Sequence, residues 1–148
     1  MRNLHILKMD SIHIDEVMEV EKKSFSTPWS REAFEKEVRE NQLALYFVAE
    51  LEGSVVGYCG LWLIMDEAHI TNIAVDPDYR GLKIGDALVK KILEKSREKG
   101  LKKVTLEVRE SNEVAQGLYE KHGFESCGIR ARYYHDNNEN AVIMWKEL

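Results

Sequence analysis

Three β-rich runs follow one another through the middle of the chain, and helical patterns separate the strands that come after them. The first two runs, residues 43–51 and 55–65, are joined by Glu52-Gly53-Ser54, which predicts a hairpin. A third run, residues 68–76, stops at Pro77. The later segments are predicted as helices over 84–99 and 112–122 and as strands over 103–109, 124–132 and 141–145. This order predicts a mixed α/β sheet that is antiparallel at first and is then crossed over by helices.

The N-terminal part of the chain predicts two helices with a break between them. Apolar residues between positions 11 and 23 follow helical spacing, and Ser11 is the expected N-cap. The segment Phe25-Ser26-Thr27-Pro28-Trp29 interrupts this pattern. Ser30 is then expected to cap a second helix, in which Phe34 and Val38 lie one turn apart.

The composition is that of a globular protein. The chain has 148 residues, of which 44% are hydrophobic and 32% are charged, and this length predicts a single domain over residues 1–148. Such values exclude collagen-like, mucin-like and largely disordered chains. With 21 basic and 26 acidic residues the net charge is −5, so nucleic acid, which usually requires a basic surface, is not an expected partner.

Nothing in the sequence predicts a membrane span, an export signal or a metal site. The longest apolar stretch, residues 55–65, contains Gly57 and Gly60 and is shorter than the ~20 residues that a bilayer requires. The N-terminus lacks the apolar region of a signal peptide. Cys59 and Cys127 are far apart, which favours a reducing compartment, so the expected location is the cytoplasm. The histidines show no ligand spacing, and no metal is expected.

A basic, glycine-containing loop over residues 75–85 opens the longest predicted helix. Helix N-terminal amides, together with glycines that allow close approach, are typical of an anion site. The loop lacks the Gly-x-Gly-x-x-Gly and Gly-Lys-Ser/Thr patterns of the Rossmann and P-loop nucleotide sites. An ordinary strand–helix turn is the alternative interpretation, and Asp86 in the first helical turn would repel a nearby phosphate.

Motifs spread along the whole chain resemble those of one known family. They are Pro28-Trp29-Ser30, Asp66-Glu67-Ala68, Asn72-Ile73-Ala74-Val75-Asp76-Pro77-Asp78-Tyr79, Leu106-Glu107-Val108-Arg109, Ser111-Asn112, Leu118-Tyr119, Gly123-Phe124, Ile129-Arg130, Tyr133-Tyr134, Ala141 and Ile143-Met144. As an ordered set they resemble the GNAT N-acetyltransferases, and within them the ribosomal-protein-alanine N-acetyltransferases. The resemblance implies the GNAT fold, with a mostly antiparallel central sheet, a splayed parallel pair of strands and flanking helices.

The resemblance also implies acetyl-coenzyme A (acetyl-CoA) as the acyl donor. Ile73, Ala74 and Val75 would flank its acetyl and pantetheine parts, and Asn112 would contact it near the second of the later helices. The pyrophosphate would bind the loop residues Arg80, Gly81, Leu82, Lys83, Ile84, Gly85 and Asp86. Lys83 departs from the family pattern, which has glycine there. The lysine either adds a cation to the phosphate site or weakens binding.

Glu107 is the candidate general base, since a glutamate is unusual within the strand-like run 104–108. A carboxylate acting through one water can deprotonate a peptide α-amine, whose pKa is about 7.7–8.0. An ion pair with Arg109 on the same strand face is the alternative.

Tyr119, by its position in the resemblance, is the candidate acid that protonates the departing sulfur, with core packing as its alternative. The resemblance further implies that a backbone amide near Val75 meets the oxyanion. His69 is an alternative base, because imidazole titrates near pH ~6.5, although a hydrogen-bonded structural role is simpler. Strict alternation predicts that His69 shares a strand face with Thr71, Ile73 and Val75.

The last predicted hairpin faces the acceptor peptide in the family. The resemblance therefore implies that Trp29, Tyr133 and Tyr134 bind the acceptor, with Arg130 and Arg132 nearby. The implied acceptor is a protein N-terminal α-amine, above all that of ribosomal small-subunit protein eighteen, and direct attack is expected because neither cysteine lies in a motif position. A lysine or small-amine acetyltransferase of the same fold, and a non-catalytic module that binds acetyl-CoA and a peptide, are the alternatives.

Overall fold

The architecture is a seven-stranded sheet with helices on both faces. The computed structural model describes residues 3–25 and 27–148, so Met1, Arg2 and Ser26 of the predicted break lie outside it. The strands are β1 (Leu4–Lys8), β2 (Ala44–Leu51), β3 (Ser54–Ile64), β4 (Glu67–Val75), β5 (Lys103–Arg109), β6 (Glu125–Tyr134) and β7 (Glu139–Glu147). The helices are α1 (Ile14–Ser24), α2 (Arg31–Arg39), α3 (Ile84–Glu98) and α4 (Glu113–Lys121). Two 3₁₀ turns, Ser11–His13 and Pro77–Tyr79, complete these elements.

The strands are ordered β1-β2-β3-β4-β5-β7-β6 across the sheet. Every neighbouring pair is antiparallel except β4 and β5, which run parallel. These two strands pair only where Glu67–Ile70 lies beside Lys103–Leu106, and they diverge beyond Ile70 and Leu106. The predicted mixed sheet with a splayed parallel pair is therefore confirmed, and the divergence opens a gap in the middle of the sheet.

Strand β1 is a feature that the sequence did not predict. Its five residues have no strong alternation, and the strand forms because it pairs with β2 along its length, from Leu4 opposite Leu51 to Lys8 opposite Phe47. The predicted cap at Ser11 was wrong. The Asp10 carboxylate instead accepts the Ser11 N–H (2.7 Å) and caps a 3₁₀ turn, so that α1 begins only at Ile14. The predicted Ser30 cap is confirmed by a 3.1 Å hydrogen bond from the Ala33 N–H.

A β-bulge in β4 changes which side chains share a face. Ile70 lies opposite Leu61 of β3 but Asn72 lies opposite Gly60, which leaves Thr71 as the extra residue. A bulge of one residue inverts the alternation beyond it. The predicted common face of His69, Ile73 and Val75 was therefore wrong. Ile73 and Val75 pack on the α3 side of the sheet, in the same cluster as Ala68 and Ile70, the two neighbours of His69.

Two apolar clusters hold the helices onto the sheet. On one face α1 and α2 bury side chains such as Val17 and Phe34 against Tyr58 of β3. On the other face α3 buries Leu88 and Ile92 against β4 and β5, and α4 adds Tyr119. Fully burying each aliphatic or aromatic side chain stabilises the fold by roughly 1.5–3 kcal/mol. Both helical layers are thus anchored beside the gap between β4 and β5.

Candidate active site

Two clefts open on opposite faces of the sheet and meet at the gap between β4 and β5. The first, here called the α1 cleft, has a volume of about 560 Å³ and is bounded by α1, the segment after it and β5. The second, the α3 cleft, has a volume of about 510 Å³ and is bounded by β4, the loop before α3 and α4. The residues that line both clefts are Ser24, Phe25, Ile73, Asn112, Ala115 and Tyr119. The splay thus makes a passage through the sheet.

The α3 cleft contains most of the residues predicted to bind acetyl-CoA. These are Ile73, Ala74, Val75, Arg80, Gly81, Lys83, Ile84, Gly85, Asp86 and Asn112. The Leu82 side chain instead packs against the core. The loop turns through positive φ at Gly81 (82°) and Lys83 (61°), and the N-terminus of α3 bears no side-chain cap. Uncapped first-turn amides and the helix dipole favour an anion at this end of the cleft.

The Asp86 carboxylate is paired with two groups at the end of α4. Its Oδ1 lies 3.0 Å from Lys121 Nζ and 2.8 Å from His122 Nε2. Partial burial acts to raise the pKa of Asp86, but these hydrogen bonds outweigh it and lower the pKa below its ordinary value. The repulsion of phosphate expected from Asp86 is therefore offset within the protein.

Glu107 lies in the α1 cleft beside the gap, with only 10% of its side chain exposed. His69 Nε2 donates to its Oε2 at 2.6 Å, and Arg130 Nε donates to its Oε1 at 3.2 Å. The hydrogen bond from His69 is the main reason why the pKa of Glu107 is lowered below its ordinary value. The carboxyl group is thus ionised near neutral pH.

The alternative pairing of Glu107 with Arg109 is not what the structure contains. Arg109 points along the same cleft but donates to Asp136 (2.9 Å) and Glu139 (3.4 Å). Its guanidinium also lies 4.0 Å from the ring centroid of Tyr134. Arg109 therefore holds the β6–β7 turn over the α1 cleft, and the sequence did not predict this arrangement.

Tyr119 is buried and lines both clefts. Its ring packs against the ring of Phe124, with centroids 5.6 Å apart. Tyr119 therefore does contribute to core packing, as the alternative interpretation held. Burial raises the pKa of the phenol well above its ordinary value. The hydroxyl is consequently protonated at neutral pH and able to donate.

The predicted acceptor residues fall into two groups. Trp29 and Tyr134 line the α1 cleft, whereas Tyr133 is exposed and packs against the ring of Tyr134, with ring centroids 5.1 Å apart. Arg132 is also exposed and lies in the left-handed region (φ 53°), where its N–H donates to Asn140 Oδ1.

Glu21 fixes the wall of the α1 cleft and was missed by sequence reasoning. Only 2% of Glu21 is exposed, and its carboxylate accepts the Trp29 N–H (2.8 Å) and the Tyr58 hydroxyl. A glutamate on the buried stripe of α1, between Val17 and the break after Ser24, is the signal that could have identified it.

Two buried oxygen atoms, Ser24 Oγ and Asn72 Oδ1, have no hydrogen-bond partner among the described residues, and both residues line the α1 cleft. Buried polar atoms are usually satisfied, so these two are exceptions within the wall of the cleft. The described part of the chain contains no helix long and apolar enough to cross a membrane. It also contains no group of three or more His, Cys, Asp or Glu side chains arranged to hold a metal ion.

The fold and the passage between the clefts define an acetyltransferase of the GNAT class. Residues 14–124 match the Acetyltransferase (GNAT) family, and the chain belongs to it.

Relatives within the family are similar over nearly the whole chain. A Bacillus subtilis protein provisionally named as a [ribosomal protein bS18]-alanine N-acetyltransferase is 49% identical over 132 residues, which are 89% of this chain and 87% of that protein. The [ribosomal protein bS18]-alanine N-acetyltransferase of Escherichia coli is 33% identical over 94% of each chain.

The crystal structure of the Escherichia coli ribosomal-protein-S18-alanine N-acetyltransferase superposes with a TM-score of 0.89, covering 98% of this chain and 94% of that one, at 31% identity. The PaiA N-acetyltransferase of Thermoplasma acidophilum, solved in complex with coenzyme A, shares the fold with a TM-score of 0.77 at 22% identity, over 99% of each chain.

Proposed function

We propose that this protein transfers the acetyl group of acetyl-CoA to the N-terminal α-amine of a protein, and that the acceptor is ribosomal protein bS18. The observation that carries the proposal is the passage through the sheet, with Glu107 lining the α1 cleft and Tyr119 lining both clefts. Relatives 49% and 33% identical bear the name of this activity. A ribosomal acceptor places the reaction in the cytoplasm.

The α3 cleft suits acetyl-CoA. Its phosphate end would lie at the uncapped N-terminus of α3, where backbone amides, Arg80 and Lys83 supply positive charge. Gly81 has open space around its Cα, so the loop backbone can approach the pyrophosphate closely. The pantetheine would follow β4 along Ile73, Ala74 and Val75 to the gap.

The Val75 amide is positioned to meet the oxyanion. The Asp76 N–H donates to the Val56 carbonyl at 2.8 Å, so Asp76 is hydrogen-bonded to β3. Because such bonds alternate along an antiparallel pair, the Val75 N–H is expected to point away from β3 and into the gap. A preorganised amide there would stabilise the charge that develops on the thioester oxygen.

Glu107 and Tyr119 would move the protons. The acceptor enters through the α1 cleft as an ammonium, and the ionised Glu107 takes its proton through a water molecule. The neutral amine nitrogen forms the new bond to the acetyl carbon, and the negative charge moves to the thioester oxygen. The nitrogen then releases its second proton to water. The carbon–sulfur bond breaks as Tyr119 protonates the sulfur, and water returns a proton to Tyr119. General acid–base groups each contribute typically about 10²–10⁴-fold to the rate.

A peptide panel tests the proposal. The peptides carry the bS18 N-terminal sequence with a free amine, the same sequence with a blocked amine, and a lysine control, each incubated with acetyl-CoA and read by mass spectrometry. We expect acetylation of the free N-terminus alone. Modification of the blocked peptide or of the lysine control would instead assign a lysine acceptor. Binding of acetyl-CoA without modification of any peptide would support the non-catalytic module or a small-amine acceptor.

Substitutions at the two proposed groups test the mechanism. We expect Glu107→Gln and Tyr119→Phe each to lower kcat by about 10²–10⁴-fold while leaving the Kd of acetyl-CoA nearly unchanged. Glu120→Gln is the matched control, because Glu120 is exposed on α4 and lines neither cleft. Full activity in Glu107→Gln would remove Glu107 from the mechanism.

A further inference from the structure

His69 and Glu107 are joined across the two strands at the point where these strands separate. In the parallel pairing His69 lies beside Thr105, and the last pair is Ile70 beside Leu106. The 2.6 Å bond from His69 Nε2 to Glu107 Oε2 therefore crosses from β4 to the first residue of β5 beyond that pairing. This side-chain hydrogen bond joins β4 to β5 at the edge of the gap.

The second oxygen of Glu107 is held from a different direction. Arg130 belongs to β6, which β7 separates from β5, and its Nε lies 3.2 Å from Oε1. The Arg130 side chain is 56% exposed, whereas that of His69 is 32% exposed. Solvent weakens the more exposed charge pair, so His69 makes the stronger of the two contacts.

We propose that His69 is a positioning residue for acetyl transfer: it holds the Glu107 carboxylate in the orientation required at the gap. The inference rests on the proposed role of Glu107 as the general base. His69 lines neither cleft, and its Nε2 already donates a hydrogen bond to Glu107. His69 therefore acts through the carboxylate of Glu107 rather than on the substrate.

The charges around the imidazole agree with this role. The groups that face His69 are Glu107 from β5, Arg130 from β6 and Glu67 from its own strand. The hydrogen bond to Glu107 is the largest influence and raises the pKa of His69, while Arg130 acts in the opposite direction. The imidazole and the carboxylate thus each favour the charged form of the other, which strengthens the bond that orients Glu107.

Loss of this orientation has a predictable kinetic signature. A misplacement of about 1 Å in a catalytic group lowers the rate by up to about 10²-fold. We expect His69→Ala to lower kcat by about 10- to 100-fold, with the KM for acetyl-CoA changed less than about twofold. His69→Gln, whose amide can still donate to Oε2, should recover most of this loss. His5→Ala is the matched control, because His5 is exposed on the distant strand β1.

A double-mutant cycle separates this inference from the proposed function. His69→Ala, Glu107→Gln and the double variant are compared with the wild type under saturating acetyl-CoA. We expect His69→Ala to lower kcat in the wild type and to have little further effect beside Glu107→Gln. An equal loss in both backgrounds, or a kcat for His69→Ala within about twofold of the wild type, would overturn the role of His69. Full activity of Glu107→Gln alone would overturn the role of Glu107 instead.

NMR titration of the imidazole supplies a readout independent of turnover. We expect the midpoint of the His69 titration to be higher in the wild type than in Glu107→Gln, because only the wild type has a carboxylate at Nε2. Identical midpoints would show that the two groups are not paired in solution and would overturn the proposal.

Discussion

Replacing Lys83 by glycine is expected to stabilise the protein. Lys83 precedes α3 in the left-handed region, with φ 61° and ψ 27°, and its side chain makes no capping hydrogen bond. For a residue with a Cβ this conformation costs roughly 1–2 kcal/mol. Glycine removes the strain but adds freedom to the unfolded chain worth roughly 0.5–1 kcal/mol. The two ranges differ by about 0–1.5 kcal/mol, so the net gain in the free energy of unfolding expected from their centres is about 0.75 kcal/mol.

Urea denaturation of the wild type, Lys83→Gly and Lys83→Ala measures this gain. Both variants lose the charge, but alanine retains the Cβ and therefore the strain. We expect Lys83→Gly to be the most stable of the three, with Lys83→Ala close to the wild type. In a thermal scan the same gain raises Tm by a few degrees. If Lys83→Ala gains as much stability as Lys83→Gly, removal of the charge is the cause and the backbone argument is refuted.

The same two variants determine what Lys83 does for acetyl-CoA. An exposed ion pair is worth about 0.2–1 kcal/mol, so a lysine that pairs with the pyrophosphate strengthens binding by about 1.5- to 5-fold. We expect both variants to raise the Kd of acetyl-CoA by that factor at low salt, and the difference from the wild type to fade at high salt. A Kd that falls in Lys83→Gly but not in Lys83→Ala would show instead that the left-handed lysine hinders the loop.

Three further predictions concern stability, each measured by urea denaturation. His69→Gln should destabilise the protein most near pH 5.5. The lowered pKa of Glu107 stabilises the fold fully above the unfolded value of about 4.3, and progressively less as pH falls through the folded value. The raised pKa of His69 stabilises the fold fully below about 6.5, and progressively less as pH rises through the folded value. An equal effect at pH 5.5 and pH 9 would contradict this. Gly60→Ala should destabilise by about 1–3 kcal/mol, because its Cβ would lie 2.2 Å from the Tyr46 ring. Gly117 lies on α4, where an added Cβ meets open space, so Gly117→Ala should raise the free energy of unfolding by up to about 1 kcal/mol. If Gly60→Ala and Gly117→Ala change the free energy of unfolding in the same direction, the packing argument is refuted.

Periodicity was sufficient to predict the elements that carry their own pattern. The two later helices and the strands around them lie where apolar spacing places them. The predicted hairpin between β2 and β3 is present, and it turns at Glu52 and Gly53, which both have positive φ (51° and 88°). Strand β1 has no such pattern, because an edge strand of five residues is defined by the neighbour with which it pairs. The cap at Asp10 was missed for a related reason, since Asp10 and Ser11 are both good caps and a 3₁₀ turn intervenes before α1.

The sequence singled out candidate residues, but it did not identify the groups that contact them. Glu107 and Tyr119 line the α1 cleft beside the gap, whereas the partner of Glu107 suggested by local sequence was Arg109. Its actual partners, His69 and Arg130, come from strands 38 and 23 residues away in sequence. Only strand register brings such groups together, and register is not visible in one sequence.

The passage through the sheet also determines the kinetic order of the reaction. Because the α1 cleft and the α3 cleft open on opposite faces, a peptide in the first and acetyl-CoA in the second, as proposed, would be bound at the same time without competing for space. Initial-rate plots at several fixed concentrations of one substrate should therefore intersect rather than run parallel. Each product can also leave by the face through which its precursor entered, so release of one product does not require prior release of the other.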